Sequence, residues 1–161
     1  MLHRGLLIAI LSVGFSIAQT LPKEPVLSLD VALKIAQNAL KQCKNDGYKI
    51  AVNVLNKSGV VLVALRDQDA GPHTIEGSYK KAFTSVSTKT PTSVFAKKIE
   101  KNEMSSGLVN LSKNFVFASG GLPIKSENTT IGAIGVSGAP QGDLDEKCAQ
   151  IGIDSVQKDL E

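Results

Sequence analysis

The densest run of apolar residues after the first fifteen positions lies near the middle of the chain, in two short β-branched stretches. Tyr48-Lys49-Ile50-Ala51-Val52-Asn53-Val54-Leu55 and Val60-Val61-Leu62-Val63-Ala64-Leu65 each read as a strand. Asn56-Lys57-Ser58-Gly59 between them supplies a tight glycine-containing turn, so the pair predicts a β-hairpin. Ahead of the hairpin, Leu29, Ala32, Leu33, Ala36, Ala39, Leu40 and Cys43 recur at helical spacing and predict one inward face. Ser28 is placed to cap this helix. Asp30 falls in its first turn, where the helix dipole favours negative charge, and Gly47 ends it.

Beyond the hairpin, Arg66 to Pro72 is a polar loop, and Thr74 is the expected cap of a second helix. Its inner face would carry Ile75, Tyr79, Ala82, Phe83 and Val86, and Pro91 breaks it. A third helix is expected from Ser93 to Asn102, with Val94, Phe95 and Ile99 inward. The stretch from Leu108 is mixed and is expected to end in a short strand at Phe115-Val116-Phe117. Ser119-Gly120-Gly121 turns the chain into a strand at Leu122–Lys125, Ser126-Glu127-Asn128 turns it again, and Thr130–Gly138 forms the last strand. Glycines inside that strand imply close approach of a helix or a ligand to the backbone. Asp143 is the expected cap of a final helix, with Glu146 at the capping-box position and Leu144, Cys148 and Ile151 inward. The order is helix, hairpin, helices, hairpin, helix. Because strands and helices do not alternate, this predicts an α+β domain with helices packed on an antiparallel sheet.

The N-terminus changes the picture. Met1-Leu2-His3-Arg4 is a short basic start, followed by an apolar run from Leu6 to Phe15 and small residues at Ser16 and Ala18. This is the pattern of a cleavable signal peptide over residues 1–18, leaving a single domain over 19–161. The run falls short of the roughly 20 apolar residues a membrane-spanning helix needs. The expectation is therefore a periplasmic or secreted protein with no membrane span after cleavage.

The formal charge of +3 drops by one with Arg4 and gives no argument for nucleic acid. Lys97, Lys98 and Lys101 cluster without interleaved aromatics, as on a solvated helix face. The remaining cysteines, Cys43 and Cys148, form an even count that favours a disulfide in an exported chain. They carry no C-x-x-C signature and are too few for a zinc site; two buried free thiols remain the alternative.

No G-x-S-x-G elbow, phosphate loop, H-E-x-x-H or dinucleotide fingerprint occurs, and nothing in the residues demands catalysis. Cleavage would leave His73 as the one histidine. It lies between Pro72 and Thr74, a semi-rigid position suited to ligating haem iron through a neutral imidazole. The alternative is a surface histidine that helps shape a turn. Arg66 is a candidate partner for a carboxylate or propionate, or else pairs with Asp67 or Asp69. Gly120 and Gly121 offer backbone N–H groups for an anion nest, or simply turn the chain.

Several stretches together resemble the haem-binding GlcG-like family, also called haem-degrading or HbpS-like and found as the C-terminal part of PduO proteins. They are Ala51–Gly59, the loop Arg66-Asp67-Gln68-Asp69-Ala70-Gly71-Pro72-His73-Thr74, Lys80–Ser85, Gly120-Gly121-Leu122-Pro123-Ile124 and Ile131-Gly132-Ala133-Ile134-Gly135-Val136-Ser137-Gly138. They run in the family's order through nearly all of Ser28–Val156. Where the family often has D-G-A, this chain has Gln68-Asp69-Ala70. The resemblance implies a profilin-like α/β/α domain with a five-stranded antiparallel sheet, usually in homo-oligomers and often octamers. It also implies haem as cofactor, with His73 as metal ligand and Arg66 or Lys81 neutralising a propionate. Three functions stay open: exported haem binding in haem or iron handling or redox sensing, a non-haem small-molecule or assembly module, and an enzyme that opens haem.

Overall fold

Strand register organises the molecule. In this computed structural model, which describes Leu21 and residues 23–160, β1 (Ala51–Asn56) pairs antiparallel with β2 (Val61–Arg66) on one side and β4 (Thr129–Ser137) on the other. β3 (Gly121–Ser126) pairs antiparallel with β4, so the sheet runs β2-β1-β4-β3. The predicted hairpin at Asn56–Gly59 forms, with Gly59 at φ +77° and Asn56 Oδ1 accepting from the N–H groups of Ser58 and Val60.

Alternation along the strands sends side chains to two different layers. Val52, Val54, Val63, Leu122, Ile124, Ile134 and Val136 face a core shared with α1 (Leu29–Asn45) and α5 (Gly142–Asp154). Burying a side chain such as Ile35 or Ile134, both fully inaccessible, stabilises the fold by about 1.5–3 kcal/mol each. Cys43 of α1 and Cys148 of α5 are joined by a disulfide with Cα atoms 5.6 Å apart, which clasps the first and last helices.

The opposite face of the sheet is built largely from small residues and carries α2 (Thr74–Thr88). A Cβ on Gly135 would lie 2.0 Å from the Ser78 carbonyl oxygen, and one on Gly121 would lie 2.3 Å from that of Lys81. The glycines of the last hairpin thus answer the close approach of a helix. Asn53, buried on this face, donates to Ser78 Oγ at 2.8 Å and to the Ile75 carbonyl at 3.2 Å, tying α2 to β1.

Several local expectations need correction. The described residues form four strands, not five. Phe115-Val116-Phe117 joins no ladder because its groups find partners on helices. The Val116 N–H donates to Thr84 Oγ1 at 2.9 Å, and the two phenylalanines stack with each other, with Phe83 of α2 and with Phe95. Thr74 does not cap α2. It is the helix's first residue and donates its hydroxyl to the Gly71 carbonyl at 2.7 Å, while His73 occupies the cap position.

α5 begins at Gly142 after Gln141, so Asp143 lies within its first turn. Glu146 reaches away to accept from Ser93 Oγ instead of closing a capping box. In α3 (Thr92–Glu100) Thr92 and Ser93 are the buried pair, whereas Val94 and Ile99, expected inward, are 40% and 42% exposed. The polar bonds of that first turn decide how the helix sits. A short α4 (Ser106–Val109) follows where the sequence pattern was mixed. Leu29 and Leu33, also expected inward, stay 58% and 37% exposed. Among the described residues no helix is long and apolar enough to cross a membrane. The expected signal peptide lies outside the described residues.

Candidate functional site

The signature loop leaves β2 at Arg66 and ends at the first turn of α2. Arg66 folds back over it, donating to the carbonyls of Ala70 and, at 3.5 Å, Gln68. Asp67 adds to the brace. Its N–H donates to the Ile50 carbonyl, its carboxylate accepts from the Asp69 N–H at 3.0 Å, and Lys49 Nζ stands 3.9 Å from it. With Ala70 buried as a plug, the loop is fixed without help from a ligand.

His73 is displayed at the end of this loop. It is exposed, and its imidazole makes no capping bond to the free N–H groups of α2. The ring lies against Gly71, where an added Cβ would sit 2.7 Å from His73 Cε1 and 2.9 Å from Nδ1. Any larger residue at Gly71 would push the imidazole aside. Glu76, one turn into α2, pairs with Lys80 at 2.7 Å, which holds its carboxyl below the ordinary range. On the other side of the loop, an open depression of about 380 Å³ is lined by Leu40, Lys44, Lys49, Arg66 and the acidic Asp67 and Asp69. Two of its three cations are engaged within the loop, Arg66 with the Ala70 carbonyl and Lys49 with Asp67.

The other candidate residues gather elsewhere. Lys81 lies in the middle of α2 and is 8% exposed. Its ammonium donates to Asp145 Oδ2 at 2.7 Å and to the Val136 carbonyl at 3.0 Å. Asp145, 4% exposed, also accepts from the Ala139 N–H at 2.9 Å. Burial pushes the Asp145 carboxyl above its ordinary value, against the opposing pull of Lys81 and of the Ala139 and Gly138 N–H groups.

Gly120, at φ +117°, packs beneath this pair, and a Cβ there would lie 2.8 Å from the Val136 carbonyl oxygen and 2.9 Å from Lys81 Nζ. The N–H groups expected to form a nest are already engaged. That of Gly120 faces Glu146 Oε2 at 3.4 Å, and that of Gly121 donates to Thr92 Oγ1 at 2.9 Å. The structure therefore brings His73 and Arg66 onto one loop, and Lys81, Gly120 and Gly121 into a separate buried cluster. Sequence reasoning did not single out Asp145 or Thr92, and gave Glu146 only a capping role. Asp145 meets Lys81 across 64 positions, a separation that leaves no local signal.

The family model for haem degrading protein HbpS-like matches residues 27–154. The chain belongs to the HbpS-like family. A crystal structure of HbpS is 34% identical and superimposes with a TM-score of 0.77, covering 88% of this chain and 99% of that one. A double mutant of Streptomyces reticuli HbpS is 33% identical with the same TM-score, over 90% and 98% of the two chains. A PduOC:heme complex is 25% identical with a TM-score of 0.75, over 81% and 95%. No match was found among curated proteins. As a chain of the HbpS-like fold, the protein keeps the four-stranded antiparallel sheet between helices described above. Among the described residues, no cluster of three or more His, Cys, Asp or Glu side chains forms a metal cage.

Proposed function

We propose that this chain is an exported haem-binding protein, periplasmic or secreted, which serves haem or iron handling or redox sensing as a homo-oligomer of up to eight copies. The observation that carries the reading is the presentation of His73: an exposed imidazole without a capping role, held on a braced loop, in a chain of the HbpS-like family. The donor set fits the group. A neutral imidazole ligates haem iron, and Lys44 and Lys49, which line the depression beside the same loop, are cations of the kind that pair with propionates. Bound there, haem would supply a redox-active iron. The protein's part is to hold the imidazole and the cations in place and, through a second copy, to cover the apolar faces of the ring. Lys81 contributes indirectly, by fixing α2 and hence the loop that precedes it.

The test is a haem titration of the chain from Gln19 onward, beside His73→Ala, followed by absorbance. A saturable Soret shift that is lost or moved in the variant supports the proposal. A shift unchanged by the substitution removes His73 as the ligand. No saturable shift in either rejects haem binding.

One observation favours a second reading, an assembly or small-molecule module that takes no haem. Among the described residues, a depression of about 460 Å³ lies beside β3 and α5, lined by Leu122, Pro123, Ile153 and Leu160 and not by His73. A haem-opening activity ranks third. It requires release of iron and a bilin when reductant is supplied, and neither product would appear if the protein only binds.

A further inference from the structure

His73 has a fixed backbone and a side chain that makes no capping bond. Its carbonyl accepts the Gly77 N–H at 2.9 Å, the first bond of α2. The residues before it are held as well. Arg66 donates to the Ala70 carbonyl, and the ring of Pro72 locks its own φ. The Gly71 carbonyl accepts the Thr74 N–H at 3.1 Å and the Thr74 hydroxyl at 2.7 Å. Only the side-chain torsions of His73 are left to decide where its imidazole points.

A histidine that ligates a metal is usually oriented by a carboxylate or carbonyl on its second ring nitrogen. Glu76, the acid in the first turn of α2, is committed to Lys80 at 2.7 Å. What meets the ring is Gly71. A Cβ there would lie 2.7 Å from Cε1, 2.9 Å from Nδ1 and 3.7 Å from Nε2 of the imidazole. The ring therefore rests on its Nδ1–Cε1 edge, and Nε2 is the nitrogen farther from the contact. Backbone conformation does not call for glycine at this position. The glycines with positive φ are Gly47, Gly59, Gly120 and Gly138, and Gly71 is not among them. An alanine would suit the chain and collide only with the ring.

We infer that Gly71 is the positioning residue of His73, seating the imidazole on its Nδ1–Cε1 edge so that Nε2 is the nitrogen offered to an electron-pair acceptor. The acceptor is haem iron, and in this the inference rests on the haem-binding reading. Contact with the backbone takes the part that a hydrogen-bonded carboxylate or carbonyl plays at other metal-binding histidines. It leaves one nitrogen free, so the site takes its ligand through a single axial bond and does not chelate. Arg66 and Thr74 hold the carbonyls of Ala70 and Gly71, so the seat is rigid before a ligand arrives. A side chain ordered in advance loses less freedom on binding. Arg66 thereby serves the site as a brace.

The test begins with the haem-free chain from Gln19 onward. Proton NMR should show the Gly71 Hα atoms in contact with His73 Hε1, on the seated edge, and not with Hδ2. Gly71→Ala should remove that contact yet stay folded by circular dichroism, with Tm within about 3 °C of the parent's. Haem titration then reads the consequence. Gly71→Ala should weaken binding about three- to tenfold, the effect of a side chain that must be ordered on binding. It should have no further effect on whatever haem His73→Ala still takes up. Gly107→Ala is the control and should bind as the parent does, since a Cβ there would meet nothing nearer than Ser105 Oγ at 3.5 Å. Contacts to both ring hydrogens alike, undiminished haem binding by Gly71→Ala, or the same loss with and without His73 would overturn the inference. So would a large drop in Tm, which would make Gly71 a residue of the fold alone. A parent that shows the contact and binds no haem would dismiss the haem reading and leave the seat in place for another acceptor.

Discussion

The Lys81–Asp145 pair can be taken apart one charge at a time. Both side chains are almost wholly enclosed, at 8% and 4% exposure, and the ammonium's other bond is to the Val136 carbonyl. Asp145→Asn leaves a buried cation with neutral acceptors only, and Lys81→Met leaves a buried carboxylate with the Ala139 N–H. Breaking one side of such a pair costs about 3–5 kcal/mol, whereas removing both charges is far less damaging. The double variant keeps an amide oxygen for the Ala139 N–H. Its deficit should therefore fall below the sum of the single variants by at least about 2 kcal/mol.

Urea unfolding with an unchanged slope gives these values, and each single substitution should lower Tm by about 10 °C. pH supplies a check on sign. Burial raises the Asp145 carboxyl above its usual 3.8, so the native state holds that proton more tightly than the unfolded chain does. This group then favours the fold increasingly as pH falls from neutral through the raised value toward 3.8. The deficit of Asp145→Asn against the parent should be larger near the lower end of that window than at neutrality. Additive single effects of under about 0.5 kcal/mol would refute a buried pair. A deficit that shrinks on acidification would mean that the attraction of Lys81 outweighs burial.

Two further outcomes follow from the packing. Gly135→Ala places a methyl 2.0 Å from the Ser78 carbonyl oxygen and 2.6 Å from the Ala82 nitrogen, which forces α2 off the sheet. Its cost should be at least about 3 kcal/mol by urea unfolding, and a loss below about 1 kcal/mol would mean that α2 does not sit so close. Reducing the Cys43–Cys148 bond frees a loop of 105 positions and should lower stability by up to about 4–5 kcal/mol. Calorimetry with and without reductant measures this, and an unchanged Tm would indicate free thiols in the oxidised preparation.

What the sequence revealed follows the range of the interactions involved. The helix capped by Ser28, the hairpin at Asn56–Gly59 and the glycine-bearing last strand were legible because each rests on neighbours a few positions apart. The two cysteines, both placed inward by helical spacing, meet as expected. Phe115–Phe117 has the alternation of a strand, but its rings and the Val116 N–H are claimed by helices that precede it by many residues. Val94 and Ile99 have the spacing of an inner face, yet Thr92 and Ser93 anchor that helix through bonds to Gly121 and Glu146. His73 and Arg66 were legible as chemistry because they share one short loop. The engagement of Lys81, Gly120 and Gly121 with Asp145, Glu146 and Thr92 was not, since it forms only once α2, α3, α5 and β3 are in place.

The Cys43–Cys148 bond joins the first helix of the domain to the last, so it closes only when nearly the whole chain has been synthesised and folded. Under reducing conditions the bond is absent, and the stabilisation it lends is of the same order as the entire margin of an ordinary small domain. For a chain exported as proposed above, the bond would form only on the oxidising side of the membrane, so its stabilisation would be added after transport and not before it.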